Sequence, residues 1–181
     1  MTPLHTINRN DIVNSLTGMS DQIPTAILIH SSLSSIGFVD GGADTVIDGF
    51  LDYLGANGTL IMPTICRRDG EKRFDSWHIK NSPSDVGIIT EVFRCRHGVL
   101  RSDHATHSVA ACGSKAYFFT SGHNTAYGRP GPWGEAAFGH NSPWEKMYLD
   151  DIHVFFLGVT LKVNTLGHFA QSLMVKTLLN Q

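Results

Sequence analysis

Two hydrophobic periods alternate along this chain, and that alternation limits what it can fold into. Ala26-Ile27-Leu28-Ile29-His30 is a short apolar run after Pro24 that stops at Ser31-Ser32, the pattern of a buried strand. Residues 43–54 follow a different rule. Val46, Ile47, Phe50, Leu51 and Leu54 recur at helical spacing, and Gly55 sits where a C-cap glycine belongs. Thr59-Leu60-Ile61-Met62 reads as a second buried strand, closed by Pro63. Ser82-Pro83-Ser84-Asp85 predicts a helix start, with an N-cap serine, proline at the first helical position and an acid three residues on. Val86, Ile89, Val92 and Phe93 then give that helix one apolar face. Residues 108–111 and 154–158 predict further strands, and 164–179 a final helix. Helices and strands in alternation predict an α/β fold: a substantially parallel sheet with helices on both faces, in a single domain over residues 1–181.

Composition narrows the function classes. A hydrophobic fraction of 41% against 17% charged residues excludes disorder throughout, and 181 residues can enclose one core. The net charge of -2 leaves no basic surplus for nucleic acid as the main partner. No apolar stretch approaches the roughly 20 residues of a membrane helix. The first residues show neither the basic start nor the apolar run of a secretory signal. Cys66, Cys95 and Cys112 are odd in number and lack CxxC spacing, which suits a reducing compartment. A soluble cytoplasmic protein is expected. Its ten histidines against fourteen Lys plus Arg make its charge strongly pH-dependent.

Ligands of open α/β sheets bind beyond the C-terminal ends of strands. Three segments fall there: His30-Ser31-Ser32-Leu33-Ser34, Pro63-Thr64, and residues 162–168. A fourth, residues 101–108, leads into a strand. The hydroxyl-rich turn after His30 can hold an anion or simply cap the strand. The Ser82 to Gly87 segment can cradle an anion or serve as an ordinary N-cap. His104 and His107 have three readings. They could bind a metal with a third ligand such as His168, donate to backbone carbonyls, or do acid–base work. His168 and Gln171 share one helical face, where a histidine can act as a base near neutral pH or only pack. Residues 121–143, rich in Gly, Pro, His and Asn, form a loop long enough to signal function or mobility. Arg67, Arg68, Lys72, Arg73, Arg94 and Arg96 scatter positive charge that reads as solvated surface.

Seven segments occur in one order: His30-Ser31-Ser32-Leu33-Ser34-Ser35-Ile36-Gly37, Gly41-Gly42-Ala43, residues 54–64, Ser82-Pro83-Ser84-Asp85-Val86-Gly87, Leu100-Arg101-Ser102, Thr106-His107-Ser108-Val109-Ala110, and Leu157-Gly158-Val159 with Asn164-Thr165 and His168. Together they resemble the aminoglycoside 3-N-acetyltransferase family, also called antibiotic N-acetyltransferases, over about residues 8 to 171. The resemblance implies acetyl-CoA as co-substrate, a primary amine of an aminoglycoside or other amino sugar as acceptor, and a fold distinct from the GNAT acetyltransferases. It implies no metal and direct transfer in a ternary complex. Ser31, Ser32, Leu33, Ser34 and Thr64 would line the coenzyme path, and Ser82, Ser84, Val86 and Gly87 would form a coenzyme-binding helix start. Arg101, Ser102, His107 and Ser108 would lie near the thioester, with His107 in a catalytic role. His168 would be the general base.

The sequence departs from that family's pattern at three places. Gln171 stands where the family has Glu one turn after the catalytic histidine, with Asp103, Asp150 and Asp151 as candidate replacement acids. Lys162 stands where it usually has Asp, which disfavours a polycationic acceptor. The family pattern also continues well past the last helix. Either a shortened form or a differently built acceptor side is therefore expected, and a homodimer would cover apolar surface left bare. A non-catalytic relative that binds coenzyme A or a partner is the alternative. His5, His78, His97, His123, His140 and His153 are expected at the surface or in loops.

Overall fold

A computed structural model of the chain describes residues 6–20, 22–66, 76–123 and 137–179. In chain order these form α1 (Arg9–Thr17), β1 (Ala26–Ser31), α2 (Gly42–Leu54), β2 (Thr59–Pro63), α3 (Ile88–Arg94), β3 (Leu100–Arg101), β4 (Val109–Gly113), α4 (Ala116–Thr120), α5 (Pro143–Leu149), β5 (His153–Leu157) and α6 (Thr165–Leu179). Short 3-10 turns occupy Leu33–Ser35 and Leu161–Val163. Among the described residues, no helix is long and apolar enough to cross a membrane.

Local sequence explains where several elements begin and end. The Asn8 side chain accepts from the N–H groups of Asn10 and Asp11, while the Asp11 carboxylate accepts from the Asn8 N–H; this closes a capping box at α1. Gly55 ends α2 at φ 63 with its N–H on the Leu51 carbonyl, as its position predicts.

The strands lie in the order β3-β4-β2-β1-β5. Alternate residues of β1 and β2 serve two cores. Ile27, Ile29, Leu60 and Met62 pack with α1, α2 and α3, through residues such as Leu16, Val46, Phe50 and Phe93. Ala26, Leu28 and Ile61 face the other side, against Phe119, Trp144, Met147 and Phe169 of α4, α5 and α6. Both faces of the sheet are therefore covered by helices, and β1 and β2 must be apolar on both sides.

Two expectations need correction. The sheet is mixed. β1 pairs in parallel with β2 and β5, but β4 runs antiparallel to both β2 and β3. Residues 102–108 join β3 to β4, enough for a hairpin but too few for the crossover a parallel pair requires. Second, Ser82-Pro83 does not start a helix. Helix α3 begins at Ile88, after Gly87 at φ 135. The Ser82 carbonyl accepts from Arg101, the Ser84 N–H donates to the Glu91 carboxylate, and the Asp85 N–H donates to the Ile65 carbonyl. With those groups engaged elsewhere, residues 82–87 form an extended strap over the end of β2. The same dipeptide does start a helix at Ser142-Pro143, where the serine hydroxyl accepts from the Glu145 N–H at 3.2 Å.

Reversal of β4 places its first residues beside the C-terminal end of β2, with Val109 opposite Pro63. The ends of β1, β2 and β5 and the start of β4 thus share one rim. Gly158 fixes the chain as it leaves β5 there. It has φ 68, and a Cβ at this position would stand 2.9 Å from the Ser32 carbonyl oxygen and from side-chain atoms of Ser35 and Ile36. Gly158→Ala is expected to destabilise the fold by about 1–3 kcal/mol through strain and overpacking. Urea unfolding would measure it; an unchanged midpoint would rule out this role for the glycine.

Candidate active site

Two clefts open on this rim. The inner one, about 610 Å³, is walled by His30, Ser31, Asp85, Val86, Thr106, His107, Val159, Lys162 and His168, among others. The outer one, about 640 Å³, is walled by Ser31, Ser32, Leu33, Ser34, Phe38, Val86, Gly87, Ile88 and Val159. They share Ser31, Val86 and Val159, so they form two lobes of one groove. All four segments that the sequence placed at strand ends contribute to this rim.

His168 stands on the first turn of α6, exposed, with Nδ1 3.2 Å from Gln171 Oε1. An amide oxygen only accepts, so Nδ1 is the donor in this bond, and Nε2 is the nitrogen left for another partner. His107 is held differently. Its Nδ1 is 2.8 Å from the Thr106 hydroxyl, its ring packs edge-on against Phe138, and its carbonyl accepts from Trp144 Nε1.

Below the inner wall lies a buried polar layer. His104 Nδ1 accepts from the N–H groups of Thr106 and His107, at 3.2 and 3.0 Å. This reverses the expected donation to carbonyls. Burial, reinforced by His107, pulls the His104 pKa down to about 3. His104 stacks on His123 with ring centroids 4.5 Å apart. His123, expected in a surface loop, is in fact buried at 1% exposure. It lies 3.2 Å from the Ala137 carbonyl through Nε2, and its Nδ1 is 2.9 Å from the Ser102 hydroxyl. The carbonyl can only accept, so Nε2 holds the proton and Ser102 donates to Nδ1. Burial holds His123 well below its ordinary pKa. No sequence signal marked His123, since its partners are distant along the chain.

Arg101 anchors this layer. Its guanidinium donates to the carbonyls of Thr64, Ile79 and Ser82 and to the hydroxyls of Thr64 and Ser108, and it lies 4.5 Å from the Trp77 ring. Burial, with Arg94 nearby, lowers its pKa to about 10, leaving it cationic at neutral pH. Ser84 bonds to Thr90 at 2.8 Å, and Thr90 in turn donates to the Gly87 carbonyl.

The site residues predicted from sequence thus divide. His107, His168, Ser31, Ser32, Leu33, Ser34, Val86 and Gly87 wall the groove, and Gln171 supports His168. Thr64, Ser82, Ser84, Arg101, Ser102 and Ser108 belong to the layer behind it. The acid on the inner wall is Asp85. The three acids suggested from sequence lie elsewhere: Asp103 accepts from Trp77 Nε1, Asp150 pairs with Lys115, and Asp151 follows α5 at φ 48. The proposed metal trio does not assemble, and among the described residues no group of three or more His, Cys, Asp or Glu side chains is placed to hold a metal. Arg94, read as solvated, is packed against Glu91. Arg67, Arg68, Lys72, Arg73 and most of the 121–143 loop lie outside the described residues.

The sequence profile of the aminoglycoside 3-N-acetyltransferase family matches residues 28–179, and the chain belongs to that family. A prophage-derived aminoglycoside N(3')-acetyltransferase-like protein of Bacillus subtilis, YokD, is 26% identical over 90% of this chain and 64% of its own length. Its crystal structure superposes with a TM-score of 0.77, covering 92% of this chain and 70% of that one. Aminoglycoside N(3)-acetyltransferase VII of Streptomyces paromomycinus is 26% identical over 92% of this chain and 61% of its own. A structure of AAC-IIIb in binary complex with CoASH shares 25% identity at a TM-score of 0.75, covering 91% of this chain and 64% of that one. The chain therefore spans about three fifths of the length of these curated relatives.

The buried histidines make stability depend on acid. Burial lowers His30 to about 4 and His104 to about 3, against 6.5 unfolded. Between those values the unfolded chain binds more protons, so their contribution is complete above pH 6.5 and is lost as pH falls. Lowering pH from 7 to 5 should remove about 2 kcal/mol for each of the two. Chemical unfolding at both pH values checks this; equal stability would contradict the burial of neutral rings.

Proposed function

We propose that the groove is the site of an acetyl-CoA-dependent N-acetyltransferase acting on a primary amine of an amino sugar. One observation carries this reading. A hydroxyl-rich turn and an exposed histidine line the two lobes of one groove, in a chain of the aminoglycoside 3-N-acetyltransferase family.

The residues present suit the co-substrate. The Ser31 hydroxyl is buried where the two lobes meet and has no hydrogen-bond partner among the described residues. An orphaned hydroxyl of this kind costs about 1–3 kcal/mol unless a ligand satisfies it. Ser31 to Ser34, Val86 and Gly87 would hold the coenzyme in the outer lobe, with its acyl end toward the inner one. A structural relative that binds coenzyme A supports the assignment.

His168 then performs the proton transfer. A sugar ammonium must lose a proton before its nitrogen can attack the acyl carbon. His168 Nε2 takes that proton, while Gln171 holds the ring through Nδ1. Ser31 donates toward the acyl oxygen as negative charge develops there. His107, oriented by Thr106, lines the opposite wall. Gln171 orients the ring but, being uncharged, stabilises the imidazolium less than a carboxylate would.

Lys162 on the inner wall shapes the choice of acceptor. It repels a polycationic aminoglycoside and favours an amino sugar of lower charge. Dependence on acetyl-CoA, made inside cells, places the enzyme in the cytoplasm. The uncharged Gln171 favours a second reading, binding of coenzyme A without turnover.

Release of free thiol from acetyl-CoA, measured with a panel of amino sugars, separates the two. Turnover is expected, and His168→Ala should reduce it on the order of 10²–10⁴-fold. Thiol release that survives this change intact would remove His168 from the mechanism, and none with any amine would favour the binding-only reading. Gln171→Glu should raise kcat roughly tenfold or more. Lys162→Asp should lower the KM for a polycationic aminoglycoside roughly tenfold relative to a monoamino sugar; a rise would reverse the assignment.

A further inference from the structure

His30 is the penultimate residue of β1, immediately before the Ser31 junction of the two lobes. Its ring is 4% exposed and forms part of the inner wall that also holds His107 and His168. The ring lies flat on Phe156 of β5, with centroids 5.4 Å apart and planes 7° from parallel. Its Nε2 is buried and makes no hydrogen bond to any described residue.

A plain packing role does not account for this ring. Phenylalanine or leucine would fill the same space against Phe156 without burying an unsatisfied nitrogen. The ring is also electrically neutral near pH 7, because burial lowers its pKa to about 4. An imidazole whose pKa is this low is a poor proton acceptor but retains one N–H donor. Such a donor, fixed and shielded from water, suits an atom that gains negative charge during reaction. In the groove as read above, that atom is the acyl oxygen, which must pass the Ser31 junction to reach His168.

We propose that His30 is a substrate-contacting residue whose imidazole N–H donates a hydrogen bond to the acyl carbonyl oxygen of the donor thioester, beside Ser31. The role rests on the acetyltransferase reading. His168 and His30 then divide the work: one moves the proton of the amine, and the other stabilises the oxygen.

The test compares acetyl-CoA with CoA, since only the former carries the acyl oxygen. Affinities for both are measured by calorimetry on the wild-type chain, H30F and H30N. Phenylalanine keeps the stack on Phe156 without a donor, whereas asparagine keeps a donor. H30F should lose about three- to tenfold in affinity for acetyl-CoA relative to CoA. Its kcat should fall on the order of 10²-fold, with H30N recovering part of both. In wild type, the ¹⁵N signals of the His30 ring should shift with acetyl-CoA and not with CoA, a measurement that stands even if H30F folds poorly. An affinity ratio and kcat within twofold of wild type in H30F, or a ring signal that answers both ligands equally, would overturn the role of His30 alone. A wild-type chain that binds neither ligand would overturn the acetyltransferase reading itself, and this role with it.

Discussion

A single desolvated cation holds the working rim together. Arg101 lies at the end of the two-residue strand β3, yet its guanidinium reaches the carbonyls of Thr64 after β2 and of Ile79 and Ser82 in the strap. Among the described residues, its hydrogen-bond partners are neutral oxygens, and the Trp77 face lies against it. Rigid dipoles here replace water around the charge, which makes the arrangement sensitive to position. The strap that bears Asp85 and Val86 keeps its extended course because its carbonyl points at this cation. A motif arginine expected near the thioester thus lies one layer behind the groove.

The rim also sorts its histidines by environment. His30, His104 and His123 are enclosed, and enclosure keeps them uncharged. His168 is exposed on α6, with the Gln171 amide oxygen 3.2 Å from its ring. Identical side chains therefore differ in charge behaviour according to how much water surrounds them. The high histidine content has no uniform meaning; His140 is merely an exposed partner of Glu145.

Much of the fold was legible in the sequence because short-range rules decided it. The apolar runs of β1 and β2 had to be buried on both faces, and Gly55 had to end α2. The rules failed where distant partners intervened. Ser82-Pro83 and Ser142-Pro143 carry the same helix-start signal, but only the second is free of a competing cation. The reversal of β4 follows from the length of a connection to a strand too short to notice. Within the site, the family motifs include residues of the groove wall and residues of the layer behind it. They could not separate wall from foundation, because Ser31 and Ser102 look alike until their partners distinguish them: Ser102 is bonded to His123 and Val109, whereas the Ser31 hydroxyl has no partner among the described residues. His123 escaped notice since it meets His104 only in three dimensions.

The reversed strand has a consequence for how such a site can change. In an all-parallel sheet every loop at the ligand-binding edge leaves a strand, and all such loops tend to serve the cofactor. Here the β3–β4 hairpin arrives at the same edge from the opposite direction, bringing Thr106 and His107. The Ser31 to Ser34 turn and the hairpin belong to different supersecondary units, linked through β2, which pairs with both β1 and β4. The turn after β1 and the hairpin therefore reach one groove from independent parts of the chain. The hairpin can vary while the turn after β1 stays unaltered, so the two sides of the groove are free to diverge separately.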